Sequence, residues 1–263
     1  MIGNSIVSTI KNVERFSWYF KLRITKPKFV NEQYMGFHIL IMASLEYVNL
    51  AKICIASLLH FNPNSVITIH CDEVTESEIN ERIGYFVRRR KVKVIKDCSS
   101  DIPWQAEKLR IISSLNGTRD FFVDADLRWN GPLLETKVVT FFVNEFKLKD
   151  RSPFREFIKL KNFSVFSDAS MKNTSFFTFN GLEVSSEKLY SLQQTYERIL
   201  SELRLGTVAR LDLPVISRIS EQLAFSMVVE QWNVPIVYLK QTDGHLDGSF
   251  LESSYYGATG VSF

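Results

Sequence analysis

Two rhythms of apolar and polar residues alternate along residues 37–240. Short continuous apolar runs recur at FHILIMA (37–43), VITIHC (66–71), VKVI (92–95), DFFVDAD (120–126), TSFFTFN (174–180) and PIVYL (235–239). Runs of this length predict buried strands. Between them lie segments with helical spacing. In residues 44–61, Leu50, Cys54 and Leu58 form one i, i+4 row, and Ala51, Ile55 and Leu59 form the next. That spacing predicts a helix with one buried face, ended by Asn62-Pro63-Asn64. Further helices are predicted over 75–90, 104–115, 185–204 and 220–232. Ser99, Ser100 and Asp101 offer cap chemistry to the third of these five, and Ser220 to the last, where Glu221 falls in the favourable first turn. Residues 137–172 mix Phe with Lys and Arg in no regular period, and no element is assigned there.

Strand–helix–strand order predicts an α/β fold: one Rossmann-like domain with a mainly parallel central sheet flanked by helices. Residues 1–34 are read as a leader segment and 35–263 as the domain.

Composition narrows the class. The chain has 263 residues, 45% of them hydrophobic, enough for a core without disulfides or zinc. A net charge of +3 gives no strong field for nucleic acid, so no nucleic-acid partner is expected. Cys54, Cys71 and Cys98 are widely spaced and form no CxxC, which suits free thiols in a reducing compartment. No secretory-type apolar segment or membrane-spanning apolar run stands out, so a cytoplasmic location is expected. Cations cluster at Lys21, Arg23, Lys26 and Lys28, beside Phe16, Trp18, Tyr19 and Phe20, and again over residues 88–96. The first cluster reads as an amphipathic segment packed on the domain or as a peripheral contact with an anionic membrane surface, and the second as a solvated face or as a contact with phosphate-rich lipid or an acidic acceptor.

The chemistry concentrates where strands end. In a parallel α/β sheet, ligands bind beyond the carboxyl ends of the strands. Asp72, Asp124 and Asp126 fall there, and Asn180 joins them if its strand runs the same way. Asp124 and Asp126, separated by the small Ala125, suit a hard divalent cation with open positions for phosphate oxygens. Other sites are missing: the chain has no GxxxxGK[ST], no GxSxG, and no Gly-rich loop after the first strand.

The run FFVDADLRWNGPL, with WQAEKLRII ahead of it, resembles the core of GT-A fold, nucleotide-sugar-dependent glycosyltransferases with a DxD motif. Residues 37–73 resemble that group's first nucleotide-holding unit, SFFTFNGLEV its "FN-small-G" strand, and ISEQLAFSMVVEQW its "acid-Gln" helix start. The layout is most like the family-8-like transferases of cell-surface saccharide synthesis. The resemblance implies Mn²⁺ or Mg²⁺ on Asp124 and Asp126, with His245 as a further ligand and Asp243 and Asp247 as rivals. That late segment departs from the family pattern, because no Lys-Pro-Trp follows His245.

Lys108 and Arg110 precede Asp124 by 16 and 14 residues, where the family places a cation on the donor. Ser44, Tyr47 and Asp72 are expected on base and ribose, unless Tyr47 only packs and Asp72 only caps a helix. Asn180, Gly181, Glu221 and Gln222 are expected on the sugar and acceptor side, with Lys108, Glu221 and Gln222 as the catalytic set. The implied activity is metal-dependent transfer of a hexose from a nucleotide sugar, UDP foremost, to a saccharide or glycolipid acceptor. The layout leans towards retention of configuration. The alternatives are an inactive GT-A-like binding or scaffold protein, and a sugar-phosphate nucleotidyltransferase.

Overall fold

The computed structural model describes residues 30, 32–42, 45–129, 139–147, 170–204, 220–240, 246–247, 250–251 and 254–255. Its first half is a run of β/α units. They are β1 (Gly36–Ile41), α1 (Leu45–Phe61), β2 (Val66–Cys71), α2 (Glu73–Arg88), β3 (Val92–Lys96), α3 (Trp104–Ser114) and β4 (Phe121–Val123). A two-residue strand β5 (Arg128–Trp129) follows, then two long strands, β6 (Val139–Lys147) and β7 (Ser170–Thr178). Helices α4 (Ser186–Arg204) and α5 (Ser220–Val228), a 3₁₀ turn (Val229–Trp232) and β8 (Ile236–Lys240) complete the main body. Three short strands come later: β9 (Leu246–Asp247), β10 (Phe250–Leu251) and β11 (Ser254–Tyr255).

The main sheet has seven strands in the order β3-β2-β1-β4-β7-β6-β8. Its pairs are parallel except those of β7, which runs against both β4 and β6. The expected mainly parallel α/β sheet is therefore present, with one reversed strand inside it. Strand β6 was not expected. Its pairing with β7 shifts register between Phe141 and Phe142 and again between Val143 and Lys147, so the chain there lacks a clean two-residue period. Strand β7 begins four residues earlier than its apolar run suggests, at Ser170.

Both faces of the sheet are covered. One core joins Phe37, Ile39, Phe121, Val123 and Phe176 to α1 and α2. The other joins Phe122, Phe177 and Phe179 to α3, α4 and α5. Alternation along β4 and β7 thus sends Phe121 and Phe176 to one side and Phe122 and Phe177 to the other. Aromatic rings continue each layer, with Phe37 against Phe121 on one side and Phe177, Phe179 and Phe225 around Trp232 on the other. Cys54 and Cys71 are buried free thiols, and Cys98 is a half-buried one. Among the described residues no helix is long and apolar enough to cross a membrane.

Candidate functional site

Strand order reverses between β1 and β4: the chain builds outward from β1 to β2 and β3, then crosses to β4 on the other side. Such a switch point leaves a crevice beyond the carboxyl ends of the two strands. The loop leaving β4 at this point carries Asp124, Ala125 and Asp126.

The loop is pinned from three directions. Asp124 N–H donates to Ser175 O at 2.7 Å, extending the β4–β7 ladder by one step. The Cys54 thiol of α1 donates to Asp124 O at 3.6 Å. Beyond it, Trp129 N–H donates to Ser57 Oγ at 3.0 Å, while Ser57 Oγ donates to Cys54 O at 2.8 Å. Small polar residues on the buried face of α1 therefore fix the backbone that presents the two carboxyl groups.

Lys108 comes from α3 on the opposite side. It is 1% exposed, and its ammonium lies 2.8 Å from Asp124 Oδ1 and 3.0 Å from Oδ2. Glu221, at the start of α5, is wholly buried, with Oε1 3.7 Å from the same ammonium. No side chain donates a hydrogen bond to either Glu221 oxygen among the described residues, and the backbone N–H groups of Glu221 and Gln222 at the start of α5 favour its charged form. The Trp104 and Phe122 rings lie 5.8 and 5.3 Å from Lys108 Nζ, close enough for cation–π attraction.

One ammonium thus faces three carboxyl groups in a low-dielectric setting. Burial opposes the Lys108 charge, but Asp124, Glu221 and Asp126 outweigh it and hold the ammonium above its ordinary range. Burial, then repulsion from Asp124, pushes Asp126 up to about 7. Burial pushes Glu221 up to about 7 as well, against the pull of Lys108. Positive charge is short here, which is the electrostatic condition under which a carboxylate pair takes a hard divalent cation. Asp124 and Asp126 fit that role by donor chemistry. Among the described residues no group of three or more His, Cys, Asp or Glu gathers around a metal position, and the expected third ligand, His245, lies outside the described residues. Asp243 lies outside them too, and of Asp247 only the backbone is described, in β9.

The remaining expected residues separate. Asp72 is fully buried and caps α2: its Oδ1 accepts from Thr75 N–H at 2.9 Å and from Thr75 Oγ1–H at 2.6 Å. Tyr47 is 46% exposed in the first turn of α1, beside the crevice. Ser44 lies outside the described residues. Gln222 is half-buried next to Glu221.

Arg110 does not join Lys108. Two residues apart on a helix point to different faces, and Arg110 pairs instead with Glu107 and Asp97. Asn180 and Gly181 lie away from the acid pair. Because β7 is antiparallel, its end at Thr178 pairs with Phe121, the start of β4, while Phe176 pairs with Val123 at the other end. The Asn180-Gly181 turn, with φ of 52° and 80°, is tied to Thr118 at the amino end of β4.

Two neighbours of the site were not anticipated. Register sets Ser175 opposite Asp124, and alternation puts its side chain on the Phe177 face, towards α3 and α5. Only the strand pairing reveals this. Trp104 sits one helical turn before Lys108, an i, i+4 relation that the sequence does display.

No family model and no curated protein matches the chain. Solved structures to which it is similar are glycosyltransferases. Mouse xyloside xylosyltransferase 1 in its apo form is 12% identical, with 79% of this chain and 85% of that chain covered, at a TM-score of 0.44. The WbbM bifunctional glycosyltransferase in its apo form is 13% identical at a TM-score of 0.45. There the match covers 82% of this chain but 40% of the other. The mannosyltransferase PcManGT from Pyrobaculum calidifontis, in complex with GDP-Man and Mn²⁺, is 8% identical. It covers 86% of this chain and 81% of that one, at a TM-score of 0.33.

Proposed function

We propose that this chain is a metal-dependent GT-A-type glycosyltransferase that moves a sugar from a nucleotide sugar, UDP foremost, to a saccharide or glycolipid acceptor. The observation that carries the reading is the Asp124–Asp126 pair at the switch point, with Lys108 buried beneath it. Asp124 and Asp126 would hold Mn²⁺ or Mg²⁺. When bound, the ion supplies charge neutralisation for a departing diphosphate.

The chain's own residues then divide the work. Lys108 orients the Asp124 carboxylate through both oxygens and contributes fixed positive charge beneath the phosphate position. Glu221 restrains Lys108 from the other side, which makes it a positioning residue. Sealed from solvent, Glu221 does not meet an acceptor hydroxyl in this geometry. An inverting mechanism needs a carboxylate base within hydrogen-bond reach of that hydroxyl, so this burial leaves Asp243 and Asp247 as the candidates for that role. Gln222, beside Glu221, and Ser175, opposite Asp124, would serve the donor-sugar side, and the exposed Tyr47 and Trp104 would flank it. The basic segments, including residues 88–96, would serve a peripheral contact with an anionic membrane at the cytoplasmic face.

The test is release of UDP from a panel of UDP-sugars with Mn²⁺ present, with and without saccharide acceptors. Metal-dependent turnover by the native chain, and its loss in Asp124→Asn and Asp126→Asn variants that keep their far-UV spectrum, is the expected result. Equal turnover in both variants removes the reading.

A further inference from the structure

Charge on this molecule is divided along the direction of the strands. β1, β2 and β3 are parallel, so residues 32–35, 62–65 and 88–91 meet at their amino ends. Val66 N–H donates to Met35 O at 3.1 Å, and Ile67 N–H to Lys91 O at 2.9 Å. Arg88, Arg89 and Arg90 are exposed at this end, with Lys93 exposed just inside β3. Among the described residues the ion pairs of α2 and β3 join Arg82 to Glu78 and Lys96 to Glu73 and Glu76. None involves those three arginines or Lys93. The described segments before β1 and β2 contribute only Glu32 as a carboxylate, and before β4 the charges of Arg119 and Asp120 offset each other.

The carboxyl ends carry the opposite sign. Glu73 and Glu76 lie in the first turn of α2, Asp97 follows β3, and Asp124 and Asp126 follow β4. The cations there are already paired: Lys96 with Glu73 and Glu76, Lys108 with Asp124, and Arg110 with Glu107 and Asp97.

Arg90 supplies a second observation. At the end of α2, Arg90 N–H bonds Val87 O at 2.9 Å and Lys91 N–H bonds Phe86 O at 3.2 Å, which leaves Arg90 left-handed at φ 55°. Helices that stop this way favour glycine at that position, because a Cβ strains the backbone there. Arg88, in the last turn, already complements the helix end. Arg90 therefore occupies a glycine position while its side chain joins no ion pair among the described residues. Exposed apolar groups lie at the same end: Tyr34 is 71% exposed and Val30 41%. The first basic cluster enters the described chain here, since Lys28 precedes Val30 by two residues. Aromatic and apolar groups beside unpaired cations suit the headgroup layer of an anionic bilayer. A net charge of +3 gives too little field to favour nucleic acid instead.

We propose that the amino end of the sheet is the face by which this chain docks on an anionic bilayer, with the crevice directed away from it. The six residues of β1 alone separate the two ends by roughly 20 Å, at about 3.3 Å per residue. The same surface repels the acidic crevice end. The orientation deepens the transferase reading and, for the acceptor, rests on it. The accepting hydroxyl belongs to the outer end of a saccharide, not to a sugar set against the lipid headgroups.

The test is co-sedimentation of the full chain with vesicles of equal parts phosphatidylserine and phosphatidylcholine. The expected result is binding that is absent with phosphatidylcholine alone and is lost in high salt. Arg90→Gly should weaken binding about fivefold while raising the urea midpoint, because glycine relieves the left-handed backbone. Arg88→Gln added to it should bring the loss to about 25-fold. Lys96→Gln, which removes the same charge at the crevice end, should change binding by less than about twofold. Titration of UDP with Mn²⁺ should be unaltered on the vesicles, because the crevice faces water. A native chain indifferent to anionic vesicles overturns the proposal. So does a loss in Lys96→Gln equal to that in Arg90→Gly, tighter binding to a nucleic-acid duplex than to the vesicles, or a UDP site that the vesicles close. Failure of UDP to bind the free chain removes the transferase reading and leaves the docking face standing, since sedimentation needs no nucleotide.

Discussion

Lys108 shows how burial turns an ordinary surface residue type into a structural one. Its ammonium is sealed between Asp124 and Glu221, so it has no water to replace either partner. Lys108→Met should destabilise the fold by about 3–5 kcal/mol in urea unfolding, because it strands buried carboxyl groups. Lys108→Met with Glu221→Gln should recover part of that loss, and the non-additivity measures the coupling. Asp72 makes the opposite point. It sits where a ribose contact was expected, yet its carboxylate is committed to Thr75. Asp72→Ala should cost about 0.5–2 kcal/mol, and Asp72→Ser should restore most of it, as a capping role requires.

Titration adds a further residue-scale expectation. Glu221 is raised from 4.5 to about 7 in the folded chain, so between those values the native state binds more protons than the unfolded one. Its contribution therefore falls as pH rises through that window. His70 is lowered from 6.5, so the unfolded state binds more protons there, and stability falls as pH drops below that value. The two effects oppose each other below 6.5, so urea midpoints of Glu221→Gln should fall more steeply than those of the native chain as pH drops through that range.

At the scale of elements, much of the fold was legible and some of the site was not. Helices α1 to α4 and strands β1 to β3 lie within a few residues of their apolar patterns, because each buries one face or both against the sheet. Direction is not written into a strand's composition. TSFFTFN looks the same whichever way it runs, and its reversal carries Asn180 and Gly181 to the amino end of β4 while bringing Ser175 to Asp124. Strand β6 escaped notice because its register shifts break the alternation that would reveal it. The cap of α3 is another local surprise: Pro103 occupies that position without a side-chain hydrogen bond. The Arg110 side chain, by contrast, could have been separated from Lys108 on helical geometry alone.

The clamp beneath the acid loop also belongs to this scale. Ser57→Ala removes the acceptor for Trp129 N–H in a buried position. The expected loss is about 1–3 kcal/mol in chemical denaturation. The same change should weaken divalent-ion binding without touching either carboxylate.

For the whole molecule, topology converts a short acidic motif into a site. An Asp-Ala-Asp run in an arbitrary loop carries little information. Here it leaves β4 beside β1, where the order of strands reverses, and both faces of the sheet are closed by helices. The near-neutral total charge conceals this local arrangement. Three carboxyl groups surround one ammonium at the crevice, while Lys and Arg residues gather on α2 and β3 at the sheet's edge. The phenylalanine surplus has an equally plain role, since Phe121, Phe122, Phe176, Phe177 and Phe179 are all buried in the two cores that hold β4 and β7 in place.

The most direct test of the central claim is calorimetric titration of UDP into the chain with and without Mn²⁺. The account predicts binding that requires the ion in the native chain and is lost when Asp124 and Asp126 are both changed to Asn. Binding that is indifferent to Mn²⁺, or that survives unchanged in the double variant, would contradict it.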